Sequence, residues 1–400
     1  MESRQPGTVG VLILTEETGG SKYPLYSAEL LFKPLAEWMA DALSAAGCET
    51  LLVISDTAPR LNGAKYRRME TVDRAGAPAA LARFLEGCEG AYVVSQNTYF
   101  SETALALTKR SAVRGQCELC AGETPLGVYY FGRGTDIAAR TAAVLDGRIL
   151  PDLTLTDGWE SGGHECAPVH TPQDLCVLEE TLRDRVNQGH MERGVRIHAP
   201  ETVFISPDAV IGRDAVIYPS VLIKGASDIG EDCVVGPNSV INACTVGDGT
   251  EINASQINES TIGRNTHIGP FAYIRPGSVV GDGVKLGDFV EVKKAKIGDG
   301  TKVSHLTYIG DAEVGRNVNF GCGTVVVNYD GEKKHLTVVE DGAFIGCNTN
   351  LVSPVRVGKN AYTAAGTTVT DDVPEGALAI GRARQENKAK WVEKNRTKKA

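Results

Sequence analysis

Residues 262–292 read Ile-Gly-Arg-Asn-Thr-His-Ile-Gly-Pro-Phe-Ala-Tyr-Ile-Arg-Pro-Gly-Ser-Val-Val-Gly-Asp-Gly-Val-Lys-Leu-Gly-Asp-Phe-Val-Glu-Val, and in them Ile262, Ile268, Ile274, Val280, Leu286 and Val292 recur at every sixth position. A period of six fits neither a helix nor a half-buried strand. It is the step of a hexapeptide solenoid: each hexad makes one side of a three-sided coil, the aliphatic points inward, and small or φ-permissive residues turn the corner. Toward the N-terminus the step continues through Ile205, Ile211, Ile217, Ile223, Ile229, Val235 and Ile241. Toward the C-terminus it passes Val303, Ile309, Val314, Phe320 and Val326, then resumes at Val339, Ile345, Leu351, Val357 and Val369. Glycine often follows the aliphatic, as at Gly212, Gly263, Gly287 and Gly346. The expected fold over 203–373 is a parallel β-helix, left-handed as hexapeptide prisms are, in breach of the right-handed crossover rule. Its clearest interruption, Asn328-Tyr-Asp-Gly-Glu-Lys-Lys-His335, is polar and is expected to protrude.

Upstream, strand and helix patterns alternate. Strands are expected at 9–14, 51–55, 91–95 and 127–131, and helices at 29–46, 78–85, 102–110 and 136–145. That order predicts a doubly wound α/β domain with a mostly parallel sheet, whose ligand crevice lies beyond the carboxyl ends of the strands. Residues 156–168 read as loop and Pro172–Met191 as a long charged helix. The expected division is therefore 1–170 for a Rossmann-like α/β domain, 171–195 for a linker helix, and 196–400 for the β-helix with its tail.

Four hundred residues, 42% hydrophobic and 23% charged, describe an ordinary globular protein of two or three domains. A net charge of −9 gives a nucleic-acid role no global support. The apolar run Val11–Leu14 is too short for a signal peptide or a membrane span. Ten scattered cysteines form no disulfide framework, which points to a reducing cytoplasm. Cys117-Glu-Leu-Cys120, with His164 and Cys166, has zinc-ligand chemistry, but no second Cys-x-x-Cys supports it. The tail beyond Gly381 is strongly basic.

Several runs resemble one family. Residues 268–277 (Ile-Gly-Pro-Phe-Ala-Tyr-Ile-Arg-Pro-Gly), 287–294 (Gly-Asp-Phe-Val-Glu-Val-Lys-Lys), 305–311 (His-Leu-Thr-Tyr-Ile-Gly-Asp), 327–331 (Val-Asn-Tyr-Asp-Gly) and 364–370 (Ala-Ala-Gly-Thr-Thr-Val-Thr) are similar to the bifunctional glucosamine-1-phosphate acetyltransferase / N-acetylglucosamine-1-phosphate uridyltransferase family. The likeness covers essentially all of 200–390. It implies acetyl transfer from acetyl-CoA to the amine of glucosamine-1-phosphate, on the way to UDP-N-acetylglucosamine and the cell wall. It also implies a homotrimer with its sites between subunits.

Residue by residue, the resemblance makes His305 the catalytic base and Glu291 the carboxylate that orients it. A histidine suits the task, because an ammonium must lose its proton near neutral pH before it can attack a thioester. Arg275 and Lys293 match phosphate contacts, with Tyr308 and Lys334 beside them; Arg grips a phosphate at two points and Lys supplies a point charge. Asn319, Asn328 and Tyr329 match residues that hold the sugar and line the pocket, Tyr329 toward the coenzyme. Cys322, Cys347 and Ala365 match the coils near the CoA sulfur, whose backbone N–H groups would meet the developing oxyanion. The family usually has Ala at the first of these positions and Ser at the second. Arg382 and Lys388 match tail contacts to the CoA phosphates.

The uridylyl half of the resemblance departs from its pattern. The family's Gly-x-Gly-Thr-Arg loop is replaced by Thr15-Glu-Glu-Thr-Gly-Gly-Ser-Lys-Tyr-Pro24, and Glu16 and Glu17 put negative charge where a triphosphate belongs. The family's Mg²⁺-binding Asp and Asn have no counterparts in Ser95-Gln-Asn-Thr98 or Pro168-Val-His-Thr171. The expectation is a degenerate nucleotidyltransferase-like domain, with Mg²⁺ needed only if uridylyl transfer persists. Two alternatives stand beside this reading: an enzyme with both activities, and a non-catalytic hexapeptide scaffold.

Overall fold

The computed structural model describes residues 7–396, except 58, 60, 123, 151 and 159–164. The chain divides into two compact units, Met1–Arg185 and Val186–Ala400.

The second unit is a three-sided parallel β-helix. Its faces are sheets of eleven, ten and nine short strands, here called faces one, two and three. Each strand pairs in parallel with the strand one coil on; on face one His267–Ile268 pairs with Lys285–Leu286, and on face two Tyr273–Ile274 pairs with Glu291–Val292. The hexad aliphatics form the core: Ile262, Ile268, Ile274, Val280, Leu286 and Val292 are each at most 2% exposed. Burying such a side chain contributes roughly 1.5–3 kcal/mol, so the ladder is the main source of the unit's stability.

The strict step of six skips residues that the ladder contains. Val246, Ile252, Ile257 and Ile297 are all buried in the same core; steps of five at 241–246, 252–257, 257–262 and 292–297 shift the series off a strict six. Thr363 takes an inward position between Val357 and Val369, where its hydroxyl accepts from the Gly346 amide and meets Thr349. A polar side chain is tolerated there because both of its neighbours are donors or acceptors. The insertion at 328–335 leaves the coil and is largely exposed, as expected.

An uncovered first coil would expose unpaired backbone and core aliphatics. The C-terminal part of helix Pro172–Glu192 covers it. Val186 packs on the core, and the Asn187 amide donates to the carbonyls of Pro200 and Val203 at 2.9 and 3.0 Å.

The first unit is a seven-stranded sheet in the order Thr154–Asp157, Gln116–Ala121, Thr124–Gly132, Gly90–Val94, Thr8–Ile13, Cys48–Ile54, Arg68–Val72. Only Thr124–Gly132 runs against its neighbours. Strands Thr8–Ile13 and Gly90–Val94 are apolar and buried, which made them legible. Arg68–Val72, Gln116–Ala121 and Thr154–Asp157 are not in the sequence expectation: Arg68–Val72 and Thr154–Asp157 are edge strands with polar, half-exposed residues, and Gln116–Ala121 carries Gln116 and Glu118 among its buried residues. The expected helix 29–46 is shorter, Leu35–Ala45. Residues 29–34 make a tight hairpin instead, with Leu31 and Phe32 at φ 49° and 66°. Pro34 explains this, because it disfavours helical backbone at the residue before it.

Candidate active site

The register of the prism creates a column of side chains at the corner between faces one and two. Strand Lys285–Asp288 pairs with Lys302–His305, placing Asp288 directly against His305. Lys302 in turn pairs with Asn319, Asn319 with Phe344, and Phe344 with Tyr362. Carried to the corner, that register stacks Asp288, His305, Cys322, Cys347 and Ala365 on successive coils. Gly287 makes the close stacking possible: a Cβ there would lie 2.0 Å from the Ser304 carbonyl oxygen.

His305 Nδ1 lies 2.8 Å from Asp288 Oδ1. The bond from His305 holds the Asp288 carboxyl below its ordinary range, so it stays ionised and accepts only. The proton of a neutral imidazole is thereby fixed on Nδ1, leaving Nε2 as the basic nitrogen. This corrects the orienting role expected of Glu291. Glu291 sits on face two in register with Tyr308, and its Oε1 accepts from Arg275 Nη1 at 3.0 Å. The cause is register, since Asp288 is the carboxylate opposite His305. Asp288 lies inside the motif Gly287-Asp-Phe-Val-Glu-Val, so pairing strands rather than matching motifs was the signal that would have found it.

At corners between faces three and one, an Asp from the next coil caps the open amide: Asp248 accepts from Glu231, Asp282 from Arg264, Asp299 from Asp282, and Asp341 from Arg316. The corner that holds His305 has Cys347 and Ala365 in place of such caps. Among the described residues, the amides of Cys322, Cys347 and Ala365 have no acceptor. Donors left open in a row suit an oxyanion or the amide groups of an extended ligand.

A second column runs along face two. Tyr273 pairs with Glu291 and Ile274 with Val292, so Arg275 falls in line with Lys293, and Lys293 pairs with Gly310. Lys334, on the protruding loop, is the first cause that lowers the Lys293 pKa, followed by burial, with Arg275 adding to the effect and Asp311 opposing it. Crowded cations of this kind are relieved by an anion. At the end of the column Gly310 lets the Tyr308 hydroxyl and the Asn328 amide close over the backbone; a Cβ there would come within 2.3 and 2.9 Å of them. Asn328 also donates to Asp311 Oδ2.

The loop carrying Lys334 is tied to itself. Tyr329 and Lys334 form an antiparallel bridge. Asp330 accepts from the amides of Glu332 and Lys333 at 2.8 and 2.7 Å and meets His335 Nε2 at 2.6 Å. Those bonds, the Lys333 amide first, hold the Asp330 carboxyl well below the ordinary carboxylate range.

Not every expected residue joins these two columns. Asn319 lies on face one, between Lys302 and Phe344. Tyr329 is exposed, its hydroxyl on the Gly331 carbonyl. Arg382 and Lys388 are exposed in the tail, although the Arg382 stem approaches Gly366 at the corner column.

In the first unit, the loop after Thr8–Ile13 is anchored by the acidic residues that set it apart. Glu16 Oε1 accepts from the hydroxyls of Tyr26 and Thr57, both at 3.2 Å, and Glu17 pairs with His170 at 3.3 Å. Asn97 is fully buried, its amide on the Thr15 carbonyl. No free carboxylate is presented for Mg²⁺ at 95–98, so these residues do not fit that ion. Cys117 and Cys120 lie on strand Gln116–Ala121 and are buried, and burial pushes the Cys117 thiol up to about 12. His164 lies outside the described residues.

The family described as the GMPPB C-terminal domain matches residues 199–308. The chain is 42% identical over 346 residues to the bifunctional protein GlmU of Clostridioides difficile, covering 84% of this chain and 73% of that one. It is 50% identical over 273 residues to the namesake of Geobacillus sp. WCH70, covering 68% and 57%, and 55% identical over 235 residues to that of Clostridium kluyveri, covering 59% and 52%. The chain thus spans about half the length of several curated relatives that it matches. Among solved structures, an Arabidopsis UDP-N-acetylglucosamine acyltransferase aligns at 18% identity and a TM-score of 0.33, over 47% of this chain and 70% of that one. With 42% identity across 84% of the chain and 73% of the C. difficile relative, and with the stacked prism that the repeats specify, the chain belongs to the GlmU family.

Proposed function

We propose that the chain transfers the acetyl group of acetyl-CoA to the amine of glucosamine-1-phosphate. The observation that carries this reading is the Asp288–His305 pair at a corner whose amides are open, with a three-cation cluster on the adjoining face. Asp288 and Lys293 are five residues apart in the chain, at most ~17 Å of extended backbone. A sugar phosphate with its flanking side chains bridges that span.

In the proposed reaction, Arg275, Lys293 and Lys334 hold the phosphate, and Tyr308 and Asn328 meet the sugar. His305 Nε2 takes a proton from the ammonium, and the freed amine attacks the thioester carbonyl. The open amides at Cys322, Cys347 and Ala365 receive the oxyanion. As the intermediate collapses, the C–S bond breaks, the imidazolium returns its proton to the CoA thiolate, and the second proton, which the nitrogen sheds on becoming an amide, passes to solvent. The basic tail, Arg382 and Lys388 included, meets the CoA phosphates. No thiol nucleophile is needed.

The product would feed nucleotide-sugar and cell-wall synthesis. The assembly is a homotrimer in this reading, supported by a column of exposed apolar residues beside His305. Phe271, Phe289 and Leu306 are 59%, 56% and 56% exposed, and the first two stack at 5.4 Å. All three hold left-handed φ, an expensive choice for bulky side chains.

The first unit, in this reading, keeps the nucleotidyltransferase fold without its chemistry, because Glu16 and Glu17 fill the phosphate place with charge of the wrong sign. The relatives' name, bifunctional, favours a second reading in which uridylyl transfer persists. Thiol release from acetyl-CoA that depends on glucosamine-1-phosphate, and that falls by about 10²–10⁴ in His305→Ala, supports the first reading; no acceptor-dependent release sinks it. Pyrophosphate release on incubation with UTP, Mg²⁺ and N-acetylglucosamine-1-phosphate would establish the second.

A further inference from the structure

Cys322 and Cys347 occupy one register position on adjacent coils. The pairs Asn319↔Phe344 and Phe320↔Ile345 carry the register to the corner, and the Asn348 amide bonds the Cys322 carbonyl at 2.8 Å. A Cβ on Gly321 would lie 2.5 Å from the Cys347 nitrogen, so the coils touch there. Neighbouring strands lie ~4.8 Å apart, inside the ~4.4–6.8 Å Cα range that a disulfide spans. Cys347 is exposed and Cys322 partly so. The prism's other cysteines, Cys233 and Cys244, are buried, and burial pushes both thiols up.

We propose that this pair is a thiol–disulfide exchange site for coenzyme A disulfide. The proposal rests on the reading of this corner as the acetyl-CoA berth. A site that accepts acetyl-CoA with its sulfur at the corner brings the disulfide of a bound CoA dimer to the same place. The Cys347 thiolate attacks one sulfur; the S–S bond breaks, the first CoA leaves as a thiolate and takes up the proton Cys347 lost. The Cys322 thiolate then attacks Cys347 Sγ, expelling the second CoA, which takes up the proton from Cys322. Two protein thiols are oxidised, one CoA disulfide is reduced to two CoA thiols, and no further oxidant enters. The mixed disulfide fills the berth and the internal disulfide ties its two coils, so acetyl transfer stops until a small thiol reverses both steps. The switch belongs to this chain's side chains, since a corner with Ala and Ser at these positions has no sulfur to exchange.

The test treats the reduced full-length protein with CoA disulfide and follows each cysteine by peptide mass. Cys347 is expected to gain one CoA at least roughly tenfold faster than the exposed Cys176, and CoA lacking its sulfur is expected to slow it. The adduct then decays to a Cys322–Cys347 disulfide; in Cys322→Ala it persists, and in Cys347→Ser it does not form at this corner. Equal modification of Cys176 and Cys347, with no slowing by the sulfur-free analogue, would overturn the proposal. So would a Cys347 adduct in the parent protein that never passes to Cys322. Each variant's activity is compared with that of its own reduced form. Preferential exchange in a protein that does not acetylate glucosamine-1-phosphate would leave the thiol site standing and remove the acceptor reading; acetylation without preferential exchange would do the reverse.

Discussion

Asp288 shows how much one side chain can decide when a ladder fixes its neighbour. Its carboxylate accepts from His305 and stays ionised at any pH where the enzyme would act. In the proposed reaction its work is to fix the ring proton on Nδ1, so that Nε2 is the basic nitrogen. Asp288→Asn is expected to lower kcat by about 10–100-fold with little change in KM, because an amide allows either ring nitrogen to carry the proton. A large KM effect with kcat intact would assign Asp288 to binding instead. Glu291→Gln is expected to act the other way: it frees Arg275 from its partner and changes the KM for the sugar phosphate more than kcat. Steady-state kinetics with each substrate varied separates the two.

Helix Pro172–Glu192 is the element whose residues must close the prism, and closing it buries a histidine. His190 is 2% exposed. Burial first, and the Arg193 charge second, brings its pKa down to about 4. The folded state therefore disfavours the imidazolium, while the unfolded chain takes its proton near ~6.5. This contribution to stability is complete above that pH and is lost as pH falls from about 6.5 toward 4, by at most roughly 3 kcal/mol. Denaturant unfolding of the 186–400 unit should show the midpoint falling through that window in the parent. In His190→Leu the fall should be shallower; an unchanged slope would mean that the ring is hydrated.

At the scale of the whole molecule, the proposed homotrimer makes the site of a single chain incomplete. The Phe271–Phe289–Leu306 column lies beside the His305 corner and is exposed. Phe289→Glu is expected to shift the mass in solution from trimer to monomer and to cut acetyl transfer by about tenfold or more, with the far-ultraviolet spectrum unchanged. Full activity in a monomeric Phe289→Glu would place the whole site in one chain.

The repeats made the prism legible because their signal is local and redundant: an aliphatic at every sixth residue leaves few other ways to be buried. The same reading skipped Val246, Ile252, Ile257 and Ile297, where steps of five shift the series, since a fixed step carries no information about corners. Buried strands such as Gly90–Val94 were visible in the first unit, and polar edge strands such as Arg68–Val72 were not. His305, Arg275 and Lys293 were visible through their motifs. The partner of His305 was not, because Asp288 and Glu291 lie three residues apart and both are acidic. Only the parallel register, which sets Asp288 against His305 and Glu291 against Tyr308, tells one from the other. Sequence alone determined that the chain coils and which residue types carry the chemistry. The tertiary structure decided which of them meet, because contact across coils depends on the residue count of every corner between them.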